Sequence, residues 1–151
     1  MPELKILNTK EIKKILKLIE NQWNAKLTLK YAFLKNNKNR IFIVNKDIEK
    51  IDMSKLRINS IGMYFCEINN QDTRLSIEGS QIIGPTATKN IVDISEEQAK
   101  QWLHGEDLEI EGNYDGFVIV KYNNNFLGSG KYKDGRVLNY VSKSRRINTM
   151  I

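Results

Sequence analysis

Few side chains in this sequence have both the type and the spacing to do chemistry, and most of those are cationic. From Gly130 to Ile147 the chain reads GKYKDGRVLNYVSKSRRI, with six Lys/Arg side chains and a single acid. Lys131, Lys133 and Arg136 flank an Asp134-Gly135 turn, and Lys143, Arg145 and Arg146 follow the last β-type run. Cations at that density neutralise phosphates. Tyr132 and Tyr140 lie among them and offer flat rings on which an unpaired base can stack. Asn139 either reads a base edge or holds its strand in place. Lys121 joins this candidate set from the preceding strand. The competing reading is a solvated surface for the cations and core positions for the tyrosines.

Other chemistries find little support. His104, the only histidine, falls at a predicted helix end, where its ring meets free carbonyls. Without a second histidine and a cysteine cluster there is no zinc set. A Cys–His nucleophile pair would have to join His104 to Cys66, which sits in the apolar run IGMYFCEI. Gly128-Ser129-Gly130 is too short to cradle a phosphate and no helix follows it. Glu78 and Asp115, each beside a glycine, are explained by turn chemistry. The expectation is a protein with no catalytic residues, no metal and no cofactor, and so not an enzyme.

The elements that must position these residues follow from periodicity. Ile12, Ile15, Leu16, Ile19 and Trp23 share one helical face, with Asn8 or Thr9 as cap and the lysines at 10, 13, 14 and 17 opposite. Trp23 is assigned to the core. LTLKYAFL and RIFIVN are β-rich runs joined by the polar connector Lys35–Asn39. KLRINSIGMYFCEIN reads as one or two strands with Gly62 a bend, and RLSIEGSQIIG as a strand running into a brief helix or turn. Gly84-Pro85 punctuates the chain, so the predicted units are an N-terminal α+β domain, 1–84, and a C-terminal domain, 85–151. In the second unit NIVDI is a short strand, and SEEQ is a capping box opening EEQAKQWLH, which Gly105 ends. Asp107 to Glu111 forms a further strand. FVIVKY, apolar on both faces, is a buried strand of a small barrel or sandwich, and Asp134-Gly135 closes a final hairpin.

At 151 residues, 40% hydrophobic and 28% charged, the chain is an ordinary globular one with a single cysteine, which suits a reducing, cytoplasmic setting. It contains neither the roughly 20-residue apolar stretch of a membrane helix nor, at its N-terminus, the apolar region of a secretory signal. Its +6 net charge is unevenly spread. Residues 1–66 hold 14 Lys/Arg against 6 Asp/Glu, residues 67–116 hold 3 against 11, and residues 117–151 hold 7 against 1. A polyanion is drawn to such a terminal segment, nucleic acid first and an acidic protein second.

The order NIVDI, SEEQAKQWLHG, EDLEI, YDGFVIVKY, FLGSGKYKDGRVLNYV resembles a PUA domain, a small RNA-binding pseudobarrel with a short capped helix. The resemblance is strongest to the PUA-like module of the Nol/Nop/Sun/Fmu group of 5-methylcytosine RNA methyltransferases. The matching motifs are Leu127-Gly128-Ser129-Gly130-Lys131 and the run from Gly135 to Arg146, with Ser142 where that pattern favours proline. Residues 1–84 look like the α/β domain that precedes PUA in small ribosome-biogenesis factors, including archaeal stand-alone proteins of this two-part design. The resemblance implies RNA lying along the helix, the glycine-ended loop and the neighbouring strands, which implicates Trp102, Gly105 and the 128–146 hairpin. Glu106, Asp107, Glu109 and Glu111 place negative charge close to that loop. The S-adenosylmethionine domain of those enzymes has no counterpart here.

Three functions follow as expectations. The first is a non-catalytic RNA-binding protein of rRNA or tRNA processing, modification or ribosome biogenesis, with structured RNA as partner. The second is an adaptor that meets an RNA methyltransferase or ribosome-assembly protein through the acidic 67–116 segment. The third, a nuclease or deaminase-like activity on a related barrel, lacks a catalytic set.

Overall fold

The computed structural model describes residues 4–26, 31–45 and 62–141. Helix α1 (Thr9–Trp23) starts where the sequence places it. The Asn8 side chain accepts from the Glu11 N–H at 2.9 Å, and Glu11 Oε1 accepts from the Asn8 N–H at 3.2 Å, closing a capping box. Its Ile15, Ile19 and Trp23 are buried, and Lys10, Lys13, Lys14 and Lys17 face solvent.

The helix packs on an antiparallel meander of β1 (Lys5–Ile6), β2 (Tyr31–Lys35), β3 (Arg40–Asn45), β4 (Met63–Asn69) and β5 (Asp72–Leu75), paired in chain order. Phe33, Ile41, Ile43 and Phe65 point at the helix, and Ala32, Leu34 and Val44 cluster apart from them with Phe42. The two-residue β1 was not anticipated from the sequence. Its pairing with Lys35 and Leu34 ties the chain start to the sheet edge. The first part of KLRINSIGMYFCEIN lies outside the described residues.

Ser76 then caps α2 (Ile77–Ile83), and Gly84–Thr86 form a short 3-10 turn. The second sheet contains β6 (Ile91–Asp93), β7 (Leu108–Glu109), β8 (Phe117–Tyr122), β9 (Asn125–Lys133) and β10 (Arg136–Asn139), in the order β6-β8-β9-β10-β7. Among the described residues only the β6–β8 pair is parallel, reached by a crossover through α3 (Glu96–Leu103) and β7. Ser95 and Gln98 make the expected capping box. At the other end Gly105, at φ 95°, donates its N–H to the Trp102 carbonyl, and the Glu106 N–H reaches Gln101, a complete Schellman motif. The chain is α+β, as the sequence indicates.

Strand β8 explains how the halves meet. Phe117 and Ile119 join the core built from Trp23, Phe65 and Ile83, whereas Val118 and Val120 join Val92, Trp102, Leu108 and Val137. Alternate side chains on a strand point to opposite faces, so an apolar run is buried on both sides only if each side meets its own core. Burial of Phe117 and Ile119 contributes roughly 1.5–3 kcal/mol each. Polar contacts reinforce the seam: Gln22 donates to the carbonyls of Asp115 (2.6 Å) and Phe117 (2.7 Å), and Asn90 donates to Gln22 (2.8 Å). On the far side of the seam the Gly128 N–H donates to Ser80 Oγ and the Ser129 hydroxyl to the Leu75 carbonyl, both at 2.9 Å. Residues on the two sides of Gly84-Pro85 therefore share one core.

Candidate RNA interface

The β9–β10 hairpin carries the cations. Asp134 (φ 51°) and Gly135 (φ 76°) both adopt the left-handed region, as a two-residue turn matched to strand twist requires. The register pairs Lys133 with Arg136 and Lys131 with Leu138. Lys131, Lys133 and Arg136 therefore share one face, and Tyr132 and Val137 share the other. Like charges directly opposite each other cost roughly 0.2–1 kcal/mol. Asp107 relieves part of this, with Oδ2 3.6 Å from Arg136 Nη2. Among the described residues, neither Lys131 nor Lys133 has a carboxylate within ion-pair distance.

Other candidate residues lie elsewhere or are already engaged. Trp102 is fully buried and its indole N–H donates to the Leu127 carbonyl at 2.7 Å, so the expected direct contact with RNA is corrected: this ring is core. Tyr132 packs edge-on against Tyr114, and its hydroxyl meets the carbonyls of Ile110 (3.0 Å) and Gly112 (3.1 Å). Asn139 uses its whole amide to hold the end of α3, donating to Trp102 and Glu106 and accepting from the Val141 N–H. Gly105 has the backbone role described above. Lys121 packs over Phe126, beside the opposite end of β9. From Phe126 to Lys133 is seven residues, or about 23 Å along a strand. Lys143, Arg145 and Arg146 lie outside the described residues. The acidic stretch abuts the hairpin: Asp107 is bound to Arg136 and to the Asn139 N–H, and Glu109 is the strand partner of Arg136.

A cleft of about 500 Å³ opens between β4–β5, the start of α2 and the end of the last strand. Its walls include Arg40, Met63, Tyr64, Arg74 and Tyr140. Arg40 lies over the Tyr64 ring (5.6 Å) and Arg74 over the Tyr140 ring (4.9 Å), and both guanidinium groups pair with Glu67. Burial pushes the Tyr64 phenol above its ordinary value, against the opposing pull of Arg74. Sequence reasoning singled out Tyr140 only as a member of the basic tail and missed Arg40, Tyr64 and Arg74. These residues lie far apart in the chain, and their alternation on β3–β5 was the sole available signal.

Among the described residues, Cys66 and His104 occupy structural positions. Cys66 is fully buried in the first core, where burial, with Glu67 adding, drives its thiol far above the usual range, away from nucleophilic thiolate. His104 is the C-cap of α3. Among the described residues, no three His, Cys, Asp or Glu side chains group to hold a metal. No helix among them is long and apolar enough to cross a membrane.

Residues 89–147, which contain the second sheet, α3 and the cationic hairpin, match the family described as the methyltransferase RsmF PUA domain. This segment is a PUA domain. It resembles the Sun/Fmu-type modules, and its mixed sheet with the capped helix is the PUA pseudobarrel. Similar proteins carry the name ribosomal RNA small subunit methyltransferase F. That of Vibrio atlanticus (strain LGP32) is 30% identical over 107 residues, covering 66% of this chain and 23% of the relative. That of Aeromonas salmonicida (strain A449) is 33% identical over 90 residues, covering 59% and 19%. The chain spans about a fifth of the length of these curated relatives. A match to 66% of a 151-residue chain cannot fit within residues 89–151, so the likeness extends beyond the PUA domain into the N-terminal half. The relatives are bacterial, and the archaeal character expected from the two-part design is not supported.

Proposed function

We propose that this chain binds structured ribosomal RNA through its PUA domain, in the service of rRNA modification in the cytoplasm, and supplies none of the methyl-transfer chemistry itself. The observation that carries this reading is the shared face of Lys131, Lys133 and Arg136 on the hairpin of a PUA domain of the rRNA methyltransferase type. Affinity comes from phosphate neutralisation, and selectivity from RNA shape and unpaired bases. An RNA methyltransferase, in the same polypeptide or separate, is the enzyme such a module would deliver to its site. The adaptor reading through residues 67–116 has less support, because Glu67 is engaged by Arg40 and Arg74, and Asp107 by Arg136.

The test is equilibrium titration of the full chain with a small-subunit rRNA fragment across a salt series. In a duplex each neutralised phosphate contributes about −0.9 to the log–log slope, so three of them give about −2.7. A slope near zero would overturn the assignment.

A further inference from the structure

We infer that the cleft between the first sheet and the end of the PUA domain holds one unpaired nucleobase of the bound RNA, stacked on Tyr140. The inference rests on the RNA-binding reading and adds to it a site outside the cationic hairpin.

The chemistry of the walls selects the ligand. Four large hydrophobic side chains among the described residues are exposed, and two of them, Met63 (44%) and Tyr140 (41%), line this one cleft. Tyr140 is held from both sides of the seam. Arg74 of β5 lies 4.9 Å from its ring centroid and Phe117 of β8 lies 5.6 Å away. A fixed ring with residual exposure is a stacking platform whose ordering cost is already met by folding. The volume of about 500 Å³ falls within the range of small-ligand clefts.

Charge argues for a base rather than a phosphate. Arg40 and Arg74 line the cleft with Glu78, and both arginines pair with Glu67, which lies outside the lining and offsets their charge. A polyanion finds no excess of positive charge there. A neutral aromatic heterocycle does find what it needs: ring faces, guanidinium planes and a thioether. The phosphate attached to such a base has a partner close by. Lys131 lines a smaller hollow that shares Arg74 and Tyr140 with the cleft, together with Phe117, Asp72 and Glu67. The cleft and the cationic hairpin face thus adjoin at Lys131.

The walls are also held in place. Ser76 donates to the carbonyls of Tyr64 and Phe65 and caps α2, and Ser129 is bonded across the seam to Leu75. The opening is set by the fold before RNA arrives.

The test uses the full chain and fluorescently labelled RNA hairpins. One hairpin is fully paired, and four others carry a single bulged A, C, G or U in the same stem. Wild-type protein is expected to bind at least one bulged hairpin about ten-fold more tightly than the paired one. Tyr140→Phe keeps that preference, because it keeps the ring. Tyr140→Leu, which is smaller and not planar, brings the ratio of bulged to paired affinity close to one. Equal affinity of the wild type for all five hairpins, or an undiminished preference in Tyr140→Leu, overturns the cleft proposal and leaves RNA binding by the hairpin intact. Binding to none of the five overturns both.

Discussion

The amide nitrogen of Asn139 stands 2.8 Å from the Trp102 carbonyl and 3.0 Å from that of Glu106, so the last strand of the PUA domain is bolted to the end of its helix. The Asn139 side-chain oxygen is also occupied, by the Val141 N–H at 2.8 Å. Two of these three bonds are part-buried and one is exposed, and a typical hydrogen bond contributes about 0.5–1.5 kcal/mol. We expect Asn139→Ala to lose roughly 2 kcal/mol, which for a chain of this size is a fall of about 4–8 °C in Tm. RNA affinity measured well below the melt should change less than two-fold. A large loss of affinity without a loss of Tm would show instead that the amide reads a base.

The hairpin cations should separate binding from stability in the opposite sense. Replacing Lys131, Lys133 and Arg136 together by Gln removes the like-charge pair across the strands and the Arg136–Asp107 ion pair, two small effects of opposite sign. Tm is expected to move by less than about 3 °C. The salt slope should shrink by up to about 0.9 for each phosphate that is no longer neutralised. An unchanged slope in a folded triple variant would remove this face from the interface.

Cys66 gives a check on the first core. Its thiol is fully buried and far less acidic than usual, so Ellman's reagent at pH 8 should leave the native chain unmodified and react promptly in denaturant. The raised pKa also has a stability consequence. Above the ordinary thiol value of 9.0 the unfolded chain releases a proton that the folded chain keeps, so stability declines as pH rises past that point. The Cys66→Ala variant should lose this share of the alkaline decline, as urea melts between pH 8 and 10 would report.

The shared core predicts how the chain responds to division. A fragment of residues 85–151 would expose Phe117 and Ile119, which the intact protein buries against Trp23, Phe65 and Ile83. We expect that fragment to bind the dye ANS and to melt well below the full chain, or to aggregate. A soluble fragment as stable as the parent would show that the PUA domain stands alone.

What could be read from the sequence was local. The capping box at Ser95, the cap of α1 at Asn8 or Thr9, the glycine that ends α3, the Asp134-Gly135 hairpin and the two-sided burial of FVIVKY each depend on residues within a few positions of one another. The core position of Trp23 follows equally from helical spacing. What escaped depends on pairing across the chain. The second core explains Trp102, which the resemblance to PUA modules implicates in RNA contact and which is instead buried and bonded to the Leu127 carbonyl. Asn139 left two readings open in the sequence, and only the approach of the helix end, some 35 residues earlier, decides between them. The cleft brings Arg40, Arg74 and Tyr140 together through strand pairing that no short window contains.

Strand β8 has one further consequence. Because its alternate side chains are committed to opposite interiors, neither half can pivot on the other without tearing an interior open. The setting of Tyr140 between Arg74 and Phe117 is then fixed by folding, and a base stacked there would meet one orientation of the ring.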